Sequence, residues 1–368
     1  FITNTIKIIG CAAMLFGAHP LASYAIVGLG AAAYSPAKYG ILTELLPPEK
    51  LVAANGWIEG LTVGSIIAGT VLGGVLISTA VSNSLMSFDL PVITTGVDSP
   101  AESAISIIMF IYLIAALFNL RIPDTGARYP EQKLNPIQLT KDFFVGFHIL
   151  WRDRLGQISL AVTTLFWGAG ATLQFIVLKW AETALNMNLS QGAILQAVSA
   201  IGVAGGAVWA ASRIPLKSAL KVLPYGVVMG LLVCVMAIYH IEYLPSFALF
   251  TVGDFVVNFN LVPAYVLLIT VGWLAGYFVV PMNALLQHRG HVLLSAGHSI
   301  AVQNFNENLS VLSMLMLYAT LIWLDVPVPI VITGFGLAVA LTMWLVIKKH
   351  QANQAEYDSI HLIGEAKH

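Results

Sequence analysis

Lys38 stands in GAAAYSPAKYG (residues 30–40), inside a stretch apolar enough to cross a bilayer. A lysine in such a segment costs roughly 2.5–3.5 kcal/mol on insertion scales, so it faces a cavity or a partner. Tyr34 precedes it by four residues on the same helical face, and Pro36 loosens the hydrogen-bond ladder and bends the helix. Two readings of Lys38 stand: a cation for an anionic ligand, and a structural ion pair with Glu44 or Glu59 at the same depth. In the next apolar stretch Asn55 and Glu59 lie one turn apart, and Glu59 is either that ion-pair partner or a titratable group.

The densest polar run is SAGHSIAVQNFNENLS (295–310), continued by the apolar Val311 to Trp323. A segment carrying His298, Gln303, Asn304, Asn306, Glu307 and Asn308 cannot face lipid along that side. Gln303 and Glu307 are one turn apart, as are Asn304 and Asn308, giving a broad polar face suited to a wet cavity. The alternative is that its first turns are an interfacial helix end. Just upstream, PMNALLQ (281–287) sets Asn283 and Gln287 one turn apart, and the two inner ends are expected to meet. In LFWGAGATLQFIVLKW (165–180), Gln174 is a ligand contact or an interhelical hydrogen bond, and Lys179 snorkels outward. The row Gly56, Gly60, Gly64, Gly69, Gly73 and Gly74 reads as close helix packing. Gly28, Gly30, Gly202, Gly205 and Gly206 lie within spans without a preceding strand, so they are no nucleotide loop.

These residues need helices to hold them, and the composition supplies them. Of 368 residues, 58% are hydrophobic and 10% charged, with mean hydropathy +0.84, against roughly 25% charged in an ordinary soluble domain. Ten spans are expected, at about 1–18, 21–44, 51–78, 102–120, 157–180, 190–212, 219–239, 260–286, 294–323 and 327–347. All Lys and Arg except Lys7, Lys38 and Lys179 fall in alternate connections: 44–50, 121–156, 213–221, 287–291 and the tail after 347. The opposite connections, near 19, 79–101, 181–189, 240–259 and 324–326, carry Asp89, Asp98, Glu182, Glu242, Asp254 and Asp325. The basic side is cytoplasmic, so the linker and C-terminus are expected inside. Within the linker, Leu139 to Trp151 forms an amphipathic helix, lying on the inner membrane surface or packed on the bundle.

Several chemistries are excluded. Net charge −1 lacks the basic surface nucleic acid needs. Cys11 and Cys234 lie in apolar segments, and the nine His form no zinc spacing, so neither a disulfide, a metal nor a cofactor is expected. No Ser/His/Asp elbow or acyltransferase pattern marks an enzyme.

Five segments resemble the bacterial lysophospholipid transporters of the major facilitator superfamily: GAAAYSPAKYGILTEL (30–45), ANGWIEG (54–60), LFWGAGATLQF (165–175), VVPMNALLQHRG (279–290) and AGHSIAVQNFNEN (296–308). The resemblance implies an all-α integral membrane fold of roughly twelve spans in two six-helix bundles. About ten spans are then present, and the chain, which begins at Phe1, reads as truncated by the first two. The implied domains are 1–120, the remaining four helices of the N-terminal bundle; 121–156, a cytoplasmic linker; 157–349, a C-terminal six-helix bundle; and 350–368, a cytoplasmic tail. By the same resemblance the protein is a transporter of the bacterial inner membrane. It moves lysophospholipids of the lysophosphatidylethanolamine type from the outer to the inner leaflet, for reacylation by a cytoplasmic acyltransferase coupled to acyl carrier protein. Lys38 matches a lysine of the family motif and is assigned to the phosphate; Gln174 departs from a cation in the family pattern. The expected substrate site comprises Lys38, Tyr34, Glu59, Asn55, Gln174, Asn283, Gln303, Asn304 and Glu307. The rival reading is a proton-coupled major facilitator exporter of drugs or small amphiphiles, with Glu59 or Glu307 as the proton carrier.

Overall fold

In the lipid core no water satisfies backbone N–H and C=O groups, so apolar segments of this length must coil into helices. The computed structural model describes residues 1–76, 81, 83–84, 99–126, 135–187, 189–252 and 255–364. Most of the outer connection 79–101, with Asp89 and Asp98, lies outside these residues, as do Arg128, Lys133, Asp254 and Lys367. A helix stands at each of the ten expected spans: α1 (Ile2–Leu15), α2 (Pro20–Leu45), α3 (Leu51–Leu76), α4 (Pro100–Asn119), α6 (Gly156–Ala184), α7 (Leu189–Arg213), α8 (Leu223–Met236), α9 (Val262–Leu293), α10 (Ala296–Trp323) and α11 (Val328–Glu356). Between them α5 (Pro136–Arg152) occupies the linker. The stretches Pro100–Asn119, Gly156–Ala184, Ile194–Arg213, Leu216–Met236, Phe259–Leu293, Ala296–Trp323 and Val328–Glu356 are long and apolar enough to cross a membrane. The outer connection before α9 adds a short antiparallel hairpin, β1 (Ala248–Val252) with β2 (Phe255–Asn258).

Local signals set the helix starts. Ser99 and Glu102 form a reciprocal capping box with Pro100 in the first turn of α4. Asn135 caps α5 and Ser295 caps α10 through their side-chain oxygens. Asp153 caps α6, accepting from the N–H groups of Leu155 and Gly156 at 3.2 and 2.7 Å.

By contact the chain divides into two units, Phe1–Leu45 with Ser65–Gln132, and Leu46–Gly64 with Lys133–His368. In the first, α1 packs on both α2 and α4. In the second, the most extensive packing joins α7 to α9. Its cause is a glycine interlock. A Cβ at Gly202 or Gly206 would collide with the carbonyls of Ile269 or Trp273, and one at Gly272 or Gly276 with those of Ser199 or Val203. Lipid gives helices no hydrophobic reason to associate, so this backbone-to-backbone approach, which only small residues permit, supplies the dispersion contact that joins them. The third-span glycines behave differently from expectation. Gly56 packs on Ala211, but no described atom lies within 4 Å of a Cβ built at Gly60, Gly64, Gly69 or Gly73. Spacing alone could not distinguish a glycine row that meets a helix from one that does not.

The linker helix packs on the second unit through Phe143, Phe147 and Trp151, which cover the buried Leu150, Leu160, Leu286 and Val302. Phe143 also meets Phe305 edge-on, with ring centroids 5.3 Å apart. Bundle packing thus accounts for one of its apolar faces, while Ile137, Phe144 and Val145 remain exposed on another.

The ends of α6, α9 and α11 are tied by charge. Asp153, already the α6 cap, receives Arg289 of α9 at 2.7 Å from Nη2 and 3.2 Å from Nε. Arg289 also donates to the Leu362 carbonyl, and Gly364 N–H donates to His288 Nε2 at 3.0 Å. Asn353 and Arg154 exchange side-chain and backbone hydrogen bonds, and Glu356 pairs with Arg154 at 3.1 Å. The segment after α11 is therefore fastened to the ends of α6 and α9.

Gly206→Val is expected to destabilise the second unit by about 1–3 kcal/mol, because the new side chain forces α7 off the Trp273 carbonyl. Gly170→Ala, with no atom within 4 Å of the added Cβ, is expected to leave stability unchanged or raised. Thermal unfolding of the purified variants in detergent compares them; equal midpoints would refute the interlock.

Candidate functional site

Each of three helices of the second unit presents a polar pair one turn apart: Asn55 and Glu59 on α3, Asn283 and Gln287 on α9, Gln303 and Glu307 on α10. All six side chains are buried. Asn55 and Gln287 exchange two amide hydrogen bonds, at 2.8 and 2.9 Å, and Asn55 also donates to the Leu51 carbonyl at 2.9 Å. One turn along, Asn283 Nδ2 donates to Glu59 Oε1 at 3.4 Å. Gln303 Nε2 donates both to Asn283 Oδ1 at 3.2 Å and to Glu307 Oε1 at 2.7 Å. Thr163 of α6 lies within hydrogen-bonding reach of the Glu307 carboxylate, and Glu59 within electrostatic reach of it.

The result is a ladder of carboxylates, carboxamides and a hydroxyl spanning α3, α9, α10 and α6. Such groups are costly in an apolar interior unless they satisfy one another. The two carboxyl groups accept from a hydroxyl- or ammonium-bearing group, while the amides donate or accept as a ligand demands. Pro281, two residues before Asn283, removes one ladder donor inside α9 at this level.

Sequence expectation and structure part company at several residues. The predicted meeting of the inner ends of α9 and α10 is found, through the Asn283–Gln303 bond. In α10 Asn308 is exposed and donates to the Asn304 carbonyl at 2.7 Å. A helical rotation of about 100° per residue carries Asn304 off the face of Gln303. Asn306 is buried but donates back to the Val302 carbonyl at 2.8 Å. Ser295 and His298, whose Oγ and Nδ1 lie 2.6 Å apart, make the capped helix end and stand apart from the ladder. Gln174 has an exposed side chain, and its backbone carbonyl accepts from Gln196 Nε2 at 3.1 Å. Gln287 and Thr163 are additions to the expected set. Gln287 was legible from its one-turn spacing to Asn283, whereas nothing in the sequence around Thr163 distinguishes it.

In the first unit, Lys38 and Tyr34 share a face of α2. The Lys38 ammonium lies 4.9 Å from the Tyr39 ring centroid, and the Tyr34 ring is covered by Lys7 at 4.9 Å. A separate cavity of about 220 Å³, lined by Trp180, Met236, His240 and Val328 among others, belongs to the opposite end of α6. Trp180 is about 25 Å along that helix from Thr163, so the cavity is distinct from the ladder. Among the described residues no group of three His, Cys, Asp or Glu could hold a metal ion.

Curated relatives extend over nearly all of the chain. The lysophospholipid transporter LplT of Escherichia coli O1:K1 is 37% identical over 351 residues, covering 94% of this chain and 79% of the relative. LplT of Shigella boydii serotype 4 aligns with the same identity and coverage. Among solved structures, a bacterial homologue of the iron transporter ferroportin, in an outward-facing state, superposes with a TM-score of 0.61. That likeness covers 95% of this chain and 82% of the other at 13% identity, so it speaks to fold alone. No family model matches the chain.

The amide pair supplies a stability test. Asn55→Leu strands the Gln287 amide and is expected to cost about 1–3 kcal/mol, whereas Asn55→Leu with Gln287→Leu is expected to recover most of that loss. Chemical denaturation in detergent reads the cycle, and additive losses would show that the two amides do not interact.

Proposed function

The chain belongs to the lysophospholipid transporter family of the major facilitator superfamily, and from that premise we propose that it carries lysophospholipid from the outer to the inner leaflet of a bacterial inner membrane. It is a multi-pass membrane transporter, not an enzyme. The observation that carries the reading is the buried ladder of Asn55, Glu59, Asn283, Gln287, Gln303 and Glu307, a run of polar groups inside helices that otherwise match lipid.

Each unit carries chemistry that suits part of such a substrate's head group. A phosphodiester needs a cation, and Lys38 supplies one within an apolar helix. Hydroxyl or ammonium groups beyond the phosphate need acceptors, which Glu59 and Glu307 provide, with Gln303 and Asn283 holding the carboxylates in place. The single acyl chain requires no dedicated polar partner; exposed Leu312, Met316 and Leu317 on α10 offer it an apolar flank. Tyr34, Gln174 and Asn304 take part by lining the route. The basic linker and tail support a cytoplasmic position for these segments, where a cytoplasmic acyltransferase coupled to acyl carrier protein would consume the delivered lysolipid.

The test is leaflet exchange. In liposomes containing the full-length protein, fluorescent lysophosphatidylethanolamine added outside is expected to become resistant to extraction by albumin, at a rate that scales with protein. Vesicles behaving as if empty would sink the assignment, and acidification coupled to export of unrelated amphiphiles would favour the drug-exporter reading. Lys38→Ala is expected to slow exchange about ten- to a hundredfold while the thermal midpoint stays put, the loss of one charge-assisted contact of about 1.5–3 kcal/mol.

A further inference from the structure

The first unit holds a second cation that its sequence position did not single out. Lys7 of α1 lays its stem against α2 at Gly30, where an added Cβ would meet Lys7 Cγ at 2.8 Å and the Thr3 carbonyl at 2.7 Å. Its ammonium then lies 4.9 Å from the centroid of Tyr34 and 5.3 Å from that of Tyr112, so α1, α2 and α4 converge on one charge. On α2 the sequence Gly30, Tyr34, Lys38 runs along one face in steps of one turn. The stem rests on the first, the ammonium on the second, and the third brings another lysine within electrostatic reach of Lys7.

The Tyr34 and Tyr112 ring faces hold the Lys7 ammonium, and one turn past Tyr34 on α2 the Lys38 ammonium lies 4.9 Å from the Tyr39 ring centroid. An anion that takes a contact from each needs several acceptor oxygens on a single centre, as a phosphate has.

We propose that Lys7, held by Tyr34 and Tyr112, is a substrate-binding residue that joins Lys38 in a two-lysine site for the lipid phosphate. This rests on the lysophospholipid reading above and adds a residue to it. The site discriminates by phosphate and not by tail: a monoacylglycerol of equal chain length lacks the group both lysines grip.

Binding to the full-length protein in nanodiscs of zwitterionic lipid tests this, with three probes: lysophosphatidylethanolamine, the matching monoacylglycerol, and inorganic phosphate as competitor. Lys7→Met, which keeps the stem on Gly30, is expected to weaken lysophospholipid binding about tenfold and leave monoacylglycerol binding and the thermal midpoint unchanged. Lys7→Arg is expected to restore binding to within about threefold, since the guanidinium also grips phosphate. Combining Lys7→Met with Lys38→Met is expected to lose less than the product of the single losses, because the lysines share one ligand. In the unsubstituted protein, lysophospholipid is expected to shield Lys7 from an amine-reactive reagent while monoacylglycerol does not, a readout independent of how any variant folds.

Lysophospholipid binding to Lys7→Met at wild-type strength, or equal labelling of Lys7 with and without lysophospholipid, would overturn the proposal. Absence of lysophospholipid binding to the wild type would overturn the lysolipid reading itself. Inorganic phosphate then decides the lysine pair separately: binding that needs Lys7 supports a site for free phosphate, and none ends it.

Discussion

The interlock of Gly202 and Gly206 with Gly272 and Gly276 is the constraint from which the second unit takes its register. Once the backbones of α7 and α9 touch, neither helix can slide or rotate without driving a Cα into a carbonyl. That contact fixes which face of α9 turns to the remaining helices. Asn283 and Gln287 lie seven and eleven residues beyond Gly276, close to two and three helical turns, and so continue along the same side of the helix. Packing in the N-terminal half of α9 thereby aims the chemistry of its C-terminal half.

Satisfaction of polar groups sets the second level of organisation. Six buried side chains from three helices close on one another, and each carboxylate is reached by an amide from a different helical turn. In a lipid environment a mismatch of one residue would leave several of these groups without partners, so the ladder and the glycine contact reinforce a single arrangement. Beneath it, Asp153 joins the α6 cap to Arg289, two residues past Gln287, so the ladder ends in an ion pair that also holds the C-terminal segment.

The polar chemistry differs between the two units. The first carries ammonium groups set among tyrosines, and the second carries carboxylates set among amides. Neither chemistry would be stable alone in hydrocarbon, and each is buffered locally, by aromatic faces in one case and by carboxamides in the other.

Much of this was legible along the chain. Apolar run length sets the helices, and one-turn spacing identified Asn55 with Glu59, Asn283 with Gln287 and Gln303 with Glu307, because these depend only on local periodicity and on the cost of polar groups in lipid. Pairings between helices were not legible. Spacing gave the third-span glycines a packing role, yet Gly60, Gly64, Gly69 and Gly73 meet no described neighbour. Lys7 read as an ordinary residue near a helix end until Tyr34 and Tyr112 were seen around it. The physical reason is the same in each case: a helix's own sequence sets which residues share a face, but only contact with another helix decides what that face meets.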